Sequence, residues 1–166
     1  LQSEYMFAYR ITLENHNRVH PDYLACTYLL TSQIPLYAWG GLPPPEALHR
    51  NVLAIHRTLR LLATPEGSVI YPNGQDWGLH RNIDWLEYHA GIAVVYQDRT
   101  AATLLRQSLA TVQRMAARQP DGTVYLPGET KLASDQAMVL EYGAHTYALM
   151  AQLGEGPAPL PDDALQ

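Results

Sequence analysis

Two short patterns recur in this chain at nearly the same interval, and that periodicity restricts the fold more than any other feature. Pro65-Glu-Gly-Ser-Val-Ile-Tyr returns 55 residues later as Pro120-Asp-Gly-Thr-Val-Tyr-Leu, each a turn followed by a short β-branched run. Leu86-Glu87-Tyr88 returns 54 residues on as Leu140-Glu141-Tyr142. A period in this range marks a stacked supersecondary unit that cannot bury its own apolar face alone.

The hydrophobic spacing makes those units helical. A first helix begins after His20, with Pro21 at its first position and Asp22 in its first turn, and stops near Gly40-Gly41. Pro35 is expected to kink it or end it early. A second follows Pro43-Pro44-Pro45 and runs to about Ala63, with Glu46 favouring its positive end. A third covers about Ile83 to Gln97 with Asn82 as cap. Asp98 caps a fourth that reaches about Arg118, and Ser134 caps a fifth that ends before Gly154.

The helices are of two kinds. Leu48, Val52, Ile55, Leu59 and Leu62 form one apolar stripe on the second, and Leu105, Leu109, Val112 and Ala116 form one on the fourth. Both read as surface helices. The other three are apolar nearly all round, in Tyr23 to Leu30, Ala90 to Tyr96 and Ala144 to Met150, and read as buried. The expected order is in, out, in, out, in: an all-α chain of repeated helical hairpins with buried inner and amphipathic outer helices. A closed five-helix bundle is the alternative.

A length of 166 residues holds one domain with a single core. Residues 1–153 read as that domain, and the Pro/Gly-rich 154–166 as a linker or frayed end. That tail, and a start at Leu1 without Met, suggest a piece of a longer protein. Only 16% of residues are charged against 47% hydrophobic, so the rest of a parent chain, or self-association, is expected to cover an open side. A net charge of −5 argues against a nucleic-acid partner. No apolar run approaches the roughly 18–20 residues of a membrane span, and no signal-peptide pattern opens the chain. Cys26 is alone, so no intrachain disulfide forms, and it reads as a small core residue.

The richest polar stretch is Glu14-Asn15-His16-Asn17-Arg18-Val19-His20-Pro21-Asp22-Tyr23, in which eight of ten side chains hydrogen-bond or ionise. Such density before a buried helix has either a use or full partners. The in-and-out arrangement resembles the (α/α) toroid of polysaccharide lyases and related glycosidases, over about residues 14–153. On that scale the chain would supply a partial toroid, about half of one. An Asn-His pair ahead of an inner helix is similar to the heparinase II/III-like and alginate-lyase-like enzymes, which cleave uronic-acid polymers by β-elimination. The resemblance implies that Asn15 and Arg18 neutralise the sugar carboxylate, that His16 and Tyr23 move the protons, and that no cofactor is needed. Its implied partner is an acidic polysaccharide or oligosaccharide, with His20 among the residues that bind it.

Tyr71-Pro-Asn-Gly-Gln-Asp-Trp-Gly-Leu-His-Arg81 enters the next inner helix. Asn73, Gln75, Asp76, Trp77, His80 and Arg81 supply planar donors and acceptors beside an aromatic face, the usual parts of a sugar-binding site. The matching loop, Leu126-Pro-Gly-Glu-Thr-Lys, lacks the Trp, His and Arg. The same residues also suit a plain turn at Asn73-Gly74 anchored by Trp77. The 11 Tyr and 3 Trp against 1 Phe fit sugar platforms and equally a core edged with hydroxyls. His16 and His20 stand four apart, but Pro21 disfavours a helix through both, and no metal is expected. Glu87 and Glu141 are expected to satisfy free backbone N–H groups at helix starts, and His89 and His145 to be core histidines. Two further readings stand beside the lyase. One is a non-catalytic sugar- or protein-binding module; the other is a toroid hydrolase using paired carboxylates such as Asp76 and Glu141.

Overall fold

Every regular element in the computed structural model is a helix, and no strand forms among its described residues, 21–26, 33–72, 83–130, 134–154 and 156–161, with the Tyr23 side chain set aside. The all-α expectation is met. The helices are α1 (Pro21–Ala25), α2 (Ile34–Trp39), α3 (Val52–Leu59), α4 (Asp84–Tyr96), α5 (Arg99–Ala116) and α6 (Asp135–Leu153).

α4 is the centre. Every residue from Asp84 to Val94 is buried, because its two apolar faces serve two clusters. Trp85, Tyr88 and Ile92 pack with Leu24 of α1 and Val52, Ile55 and Leu59 of α3. Ile83, Leu86 and Ala90 pack with Leu105 of α5 and Tyr142 of α6. A helix used on both sides has no room for a polar face. α4 and α6 run in the same direction: Tyr125 senses the carboxylates of Asp84 and Asp135 at their starts, and Gly156, just past the end of α6, meets Ala93 near the end of α4.

Several boundaries differ from expectation. Pro35 opens α2 within its first turn and does not end a helix; an N–H there has no intrahelical acceptor, so its loss costs nothing. The second helix is not continuous. A 3-10 turn at Glu46–His49 precedes Asn51, whose φ of 59° breaks the run before α3, and a second 3-10 turn at Arg60–Leu62 closes it. Its stripe survives, with Val52, Ile55 and Leu59 buried and Arg57 exposed. Asp98 caps α5 as expected, its Oδ1 accepting from the Ala101 N–H at 2.8 Å. Ser134 makes no such side-chain bond at α6.

The stripe on α5 is rotated. Ala101, Leu104, Leu105, Ser108 and Met115 face inward, whereas Leu109 is 38% exposed and Val112 and Ala116 are half-buried. The small side chains explain this, because they admit the backbone of the 64–69 turn. A Cβ on Gly67 would lie 2.4 Å from the Ser108 nitrogen and 2.6 Å from the Leu104 oxygen.

The buried-inner expectation fails for α6. Only Asp135, Tyr142, Thr146 and Leu149 are buried along it, and Leu140 and Tyr147 are 75% and 76% exposed. One face packs on α4, and α2 meets α6 as well, yet the large side chains of the other face stay in solvent. The described part of the tail is docked: the Leu160 N–H donates to Thr103 Oγ1 at 2.7 Å and Arg99 Nε to the Ala158 oxygen at 3.1 Å.

Candidate functional site

Of the residues expected to carry function, Asn15, His16, Arg18, His20, Asn73, Gln75, Asp76, Trp77, His80 and Arg81 lie outside the described residues, as does the Tyr23 side chain. Both expected loops run into described helices. Asp22 stands in the first turn of α1 and Asp84 opens α4, and both are buried. Tyr71 joins them. Its hydroxyl donates to Asp22 Oδ1, and burial, then the carboxylates of Asp22 and Asp84, push it well above the usual phenol range.

The pattern continues one hairpin on. Tyr125 is raised by burial and then by Asp84 and Asp135. Asp22, Tyr71, Asp84, Tyr125 and Asp135 therefore alternate across the starts of three helices at one end of the molecule. Tyr71 and Tyr125 each follow one of the two recurring turns, whose glycines share a left-handed conformation, φ +76° at Gly67 and +74° at Gly122.

A second polar feature lies one turn further along α4. Glu87 is 2% exposed, and its Oε1 lies 3.2 Å from His145 Nδ1, a hydrogen bond between the two side chains. Its Oε2 is buried with no hydrogen-bond partner among the described residues. Burial pushes the Glu87 carboxyl up to about 7; Glu141 and Asp84 add to this and His145 opposes it. A buried carboxyl raised into this range can serve as a general acid. The His145 side chain is half-exposed and lines a cleft of about 220 Å³ between α2 and α6 with Gln33, Leu36, Trp39 and Leu149. The Trp39 indole N–H donates to Gln152 Oε1.

Glu87 and His145 were expected in other roles. Glu87 is no backbone cap, and His145 is not a core histidine; each answers the other across 58 residues of chain. Their sequence signal is an ionisable side chain on each of two helices of mostly apolar composition. Glu141 is exposed. His56 and His89 are buried in the core. His89 Nε2 donates to the Gly67 oxygen at 3.3 Å, and burial with His56 nearby holds it down at about 3. His56 Nδ1 meets the Tyr88 hydroxyl at 3.1 Å, and its Nε2, 3.7 Å from Asp98, holds that carboxyl down at about 2 with help from the Ala101 amide. Cys26 is half-buried, its Sγ 3.4 Å from the Asp22 oxygen. No cluster of three metal-ligating side chains occurs among the described residues.

The chain matches no family model, no curated protein and no solved structure.

Proposed function

We propose that this chain is a partial (α/α) toroid of repeated helical hairpins belonging to a carbohydrate-active enzyme, a polysaccharide lyase that cleaves uronic-acid polymers by β-elimination. The observation that supports this most is the Tyr71 bridge. A site made jointly by 15–23 and 73–81 needs both stretches at one end of the molecule, and the residues that close them, Asp22 and Asp84, both face Tyr71. In this reading Asn15 and Arg18 withdraw charge from the sugar carboxylate, which acidifies the adjacent C–H. His16 and Tyr23 take that proton and protonate the departing oxygen. His20, Asn73, Gln75, Asp76, Trp77, His80 and Arg81 hold the polymer, and the exposed Leu140 and Tyr147 mark the side that further hairpins or a second copy cover.

A toroid hydrolase is the second reading, favoured by one observation: Glu87 keeps its proton up to about pH 7, as a general acid must. The deciding experiment gives the full-length protein a panel of uronic-acid polymers. The lyase yields new ultraviolet absorbance from the unsaturated product, lost in His16→Ala and weakened in Trp77→Ala but kept in the surface control Arg114→Ala. New reducing ends without absorbance point to the hydrolase. Binding without either product leaves the module reading, and a silent His16→Ala removes the proposed base.

A further inference from the structure

We infer that the uncovered face of α6 seats α6 of a second copy of this chain, antiparallel, in a seam where large side chains meet small ones. It rests on the uncovered side named above and gives that side one occupant, independently of the lyase chemistry.

Spacing comes first. Ala137, Leu140, Ala144, Tyr147 and Ala151 follow one another along α6 at steps of three, four, three and four, and all five are exposed. An apolar repeat of that period is the seam along which a second helix packs. It lies opposite the buried Tyr142, which packs with Leu86 and Ala90 of α4. α6 is therefore apolar on two opposite faces, which is why its sequence reads as a buried helix, and the fold covers only one of them.

Side-chain size selects the occupant. Small and large alternate along the seam: Ala, Leu, Ala, Tyr, Ala. In an antiparallel pair with its two-fold axis between positions 145 and 146, Leu140 falls opposite Ala151 of the second copy, and Ala144 opposite its Tyr147. The symmetry repeats both pairs, so each of the successive layers holds one large and one small side chain. A parallel pair sets Tyr147 on Tyr147 and alanine on alanine. That asks the same two helices to stand apart at one layer and close together at the next.

The flanks agree with this register. The seam itself carries no charge, and Glu141 at its edge comes beside Ala148 and Gln152 of the second copy. Sliding the pair by one heptad still sets large on small, but it brings Glu141 against Glu141, and like charges in contact are costly. Gln152 accepts from the Trp39 indole through Oε1, and its amide nitrogen remains to donate to that carboxylate. The seam runs 14 residues from Ala137 to Ala151, about 21 Å. One helix edge of that length falls short of the roughly 800 Å² per partner in a stable pair. Leu36 and Trp39 of α2, 50% and 58% exposed, border the same face across the cleft that Ala148 lines, and they widen the contact.

Sedimentation equilibrium of the full chain over a wide range of concentration should show a reversible dimer. Tyr147→Glu should weaken it at least about tenfold. Leu61→Glu, on the exposed turn that closes α3, should leave it unchanged, with each fold verified by circular dichroism. Ala144→Leu separates fit from mere apolarity: it adds apolar area but fills a small position, and it should weaken the dimer too. In a Cys26→Ala background, Leu140→Cys combined with Ala151→Cys should be joined by a short thiol crosslinker. Leu140→Cys alone should not, since its two copies lie about 16 Å apart along the seam. A monomer at every concentration overturns the proposal and leaves the seam to a different helix. So does a dimer indifferent to Tyr147→Glu, a tighter dimer in Ala144→Leu, or crosslinking of Leu140→Cys alone, the mark of a parallel pair. Polymer cleavage is read in a separate assay, so failure of the dimer and failure of the lyase are distinguishable.

Discussion

Gly67 and Gly122 occupy matching places in the two recurring turns and share a left-handed φ, yet their surroundings differ. An L side chain in that region costs about 1–2 kcal/mol at either site. At Gly122 nothing lies within 4 Å, so Gly122→Ala should cost only that. Gly67→Ala adds overlap with the backbone of Ser108 and Leu104, neither able to rotate away, and should cost about 1–3 kcal/mol more. Urea midpoints of the two variants measure the difference; equal losses would mean α5 does not press on the first turn. The glycines are legible as turn residues, but the contact that separates them depends on where α5 lies. The Glu87–His145 pair is illegible for the same reason. Each residue alone has an ordinary role on a helix, and only the packing of α4 on α6 brings them to 3.2 Å.

Hydrophobic spacing identifies helical elements well and their inward faces less well. On α3 the stripe is right, so Ile55→Ala should cost about 2–5 kcal/mol, while the exposed Arg57→Ala should stay within about 0.5 kcal/mol. On α5 the spacing of large apolar residues points to Leu109, whereas the seam runs through Leu104 and Ser108. Leu104→Ala is expected to lose about 2–5 kcal/mol, and Leu109→Ala, 38% exposed, less than half of that. Comparable losses at both leucines in chemical unfolding would restore the simple stripe. The error has a cause: close approach favours small residues, and a scan for large apolar ones passes over Ala101 and Ser108. The cap at Asp98 is readable because its bond is local. Burial of α6 is not, because composition says what a helix tolerates and its neighbours decide what is covered. The expected site loops, 15–23 and 73–81, are legible as polar clusters, and the described structure reaches only the residues that close them.

At the scale of the whole molecule, two of the buried ionisable groups on α4, Glu87 and His89, have opposite effects on global stability. His89 is held at about 3 against 6.5 unfolded, so between those values the unfolded chain binds a proton that the native state refuses. Stability due to His89 is complete above pH 6.5 and is lost as pH falls. Glu87 is held at about 7 against 4.5 unfolded, so the native state keeps a proton that the unfolded chain has released. Stability due to Glu87 is complete below pH 4.5 and is lost as pH rises toward 7. The two windows overlap between 4.5 and 6.5, where each contributes about 1.4 kcal/mol per pH unit with opposite sign, so their sum is nearly flat. Removing either group unmasks the other. Glu87→Gln should make unfolding free energy climb with pH across this window relative to the unaltered protein, by about one proton's slope. His89→Gln, with an amide in place of the ring that donates to Gly67, should make it decline by a similar slope. The variants' urea unfolding curves at half-unit steps of pH should therefore diverge in opposite directions. Parallel profiles would mean that neither group keeps its native protonation state inside the fold. Divergence in Glu87→Gln alone would mean that His89 reaches solvent, which would loosen the packing of α4 against the Gly67 turn.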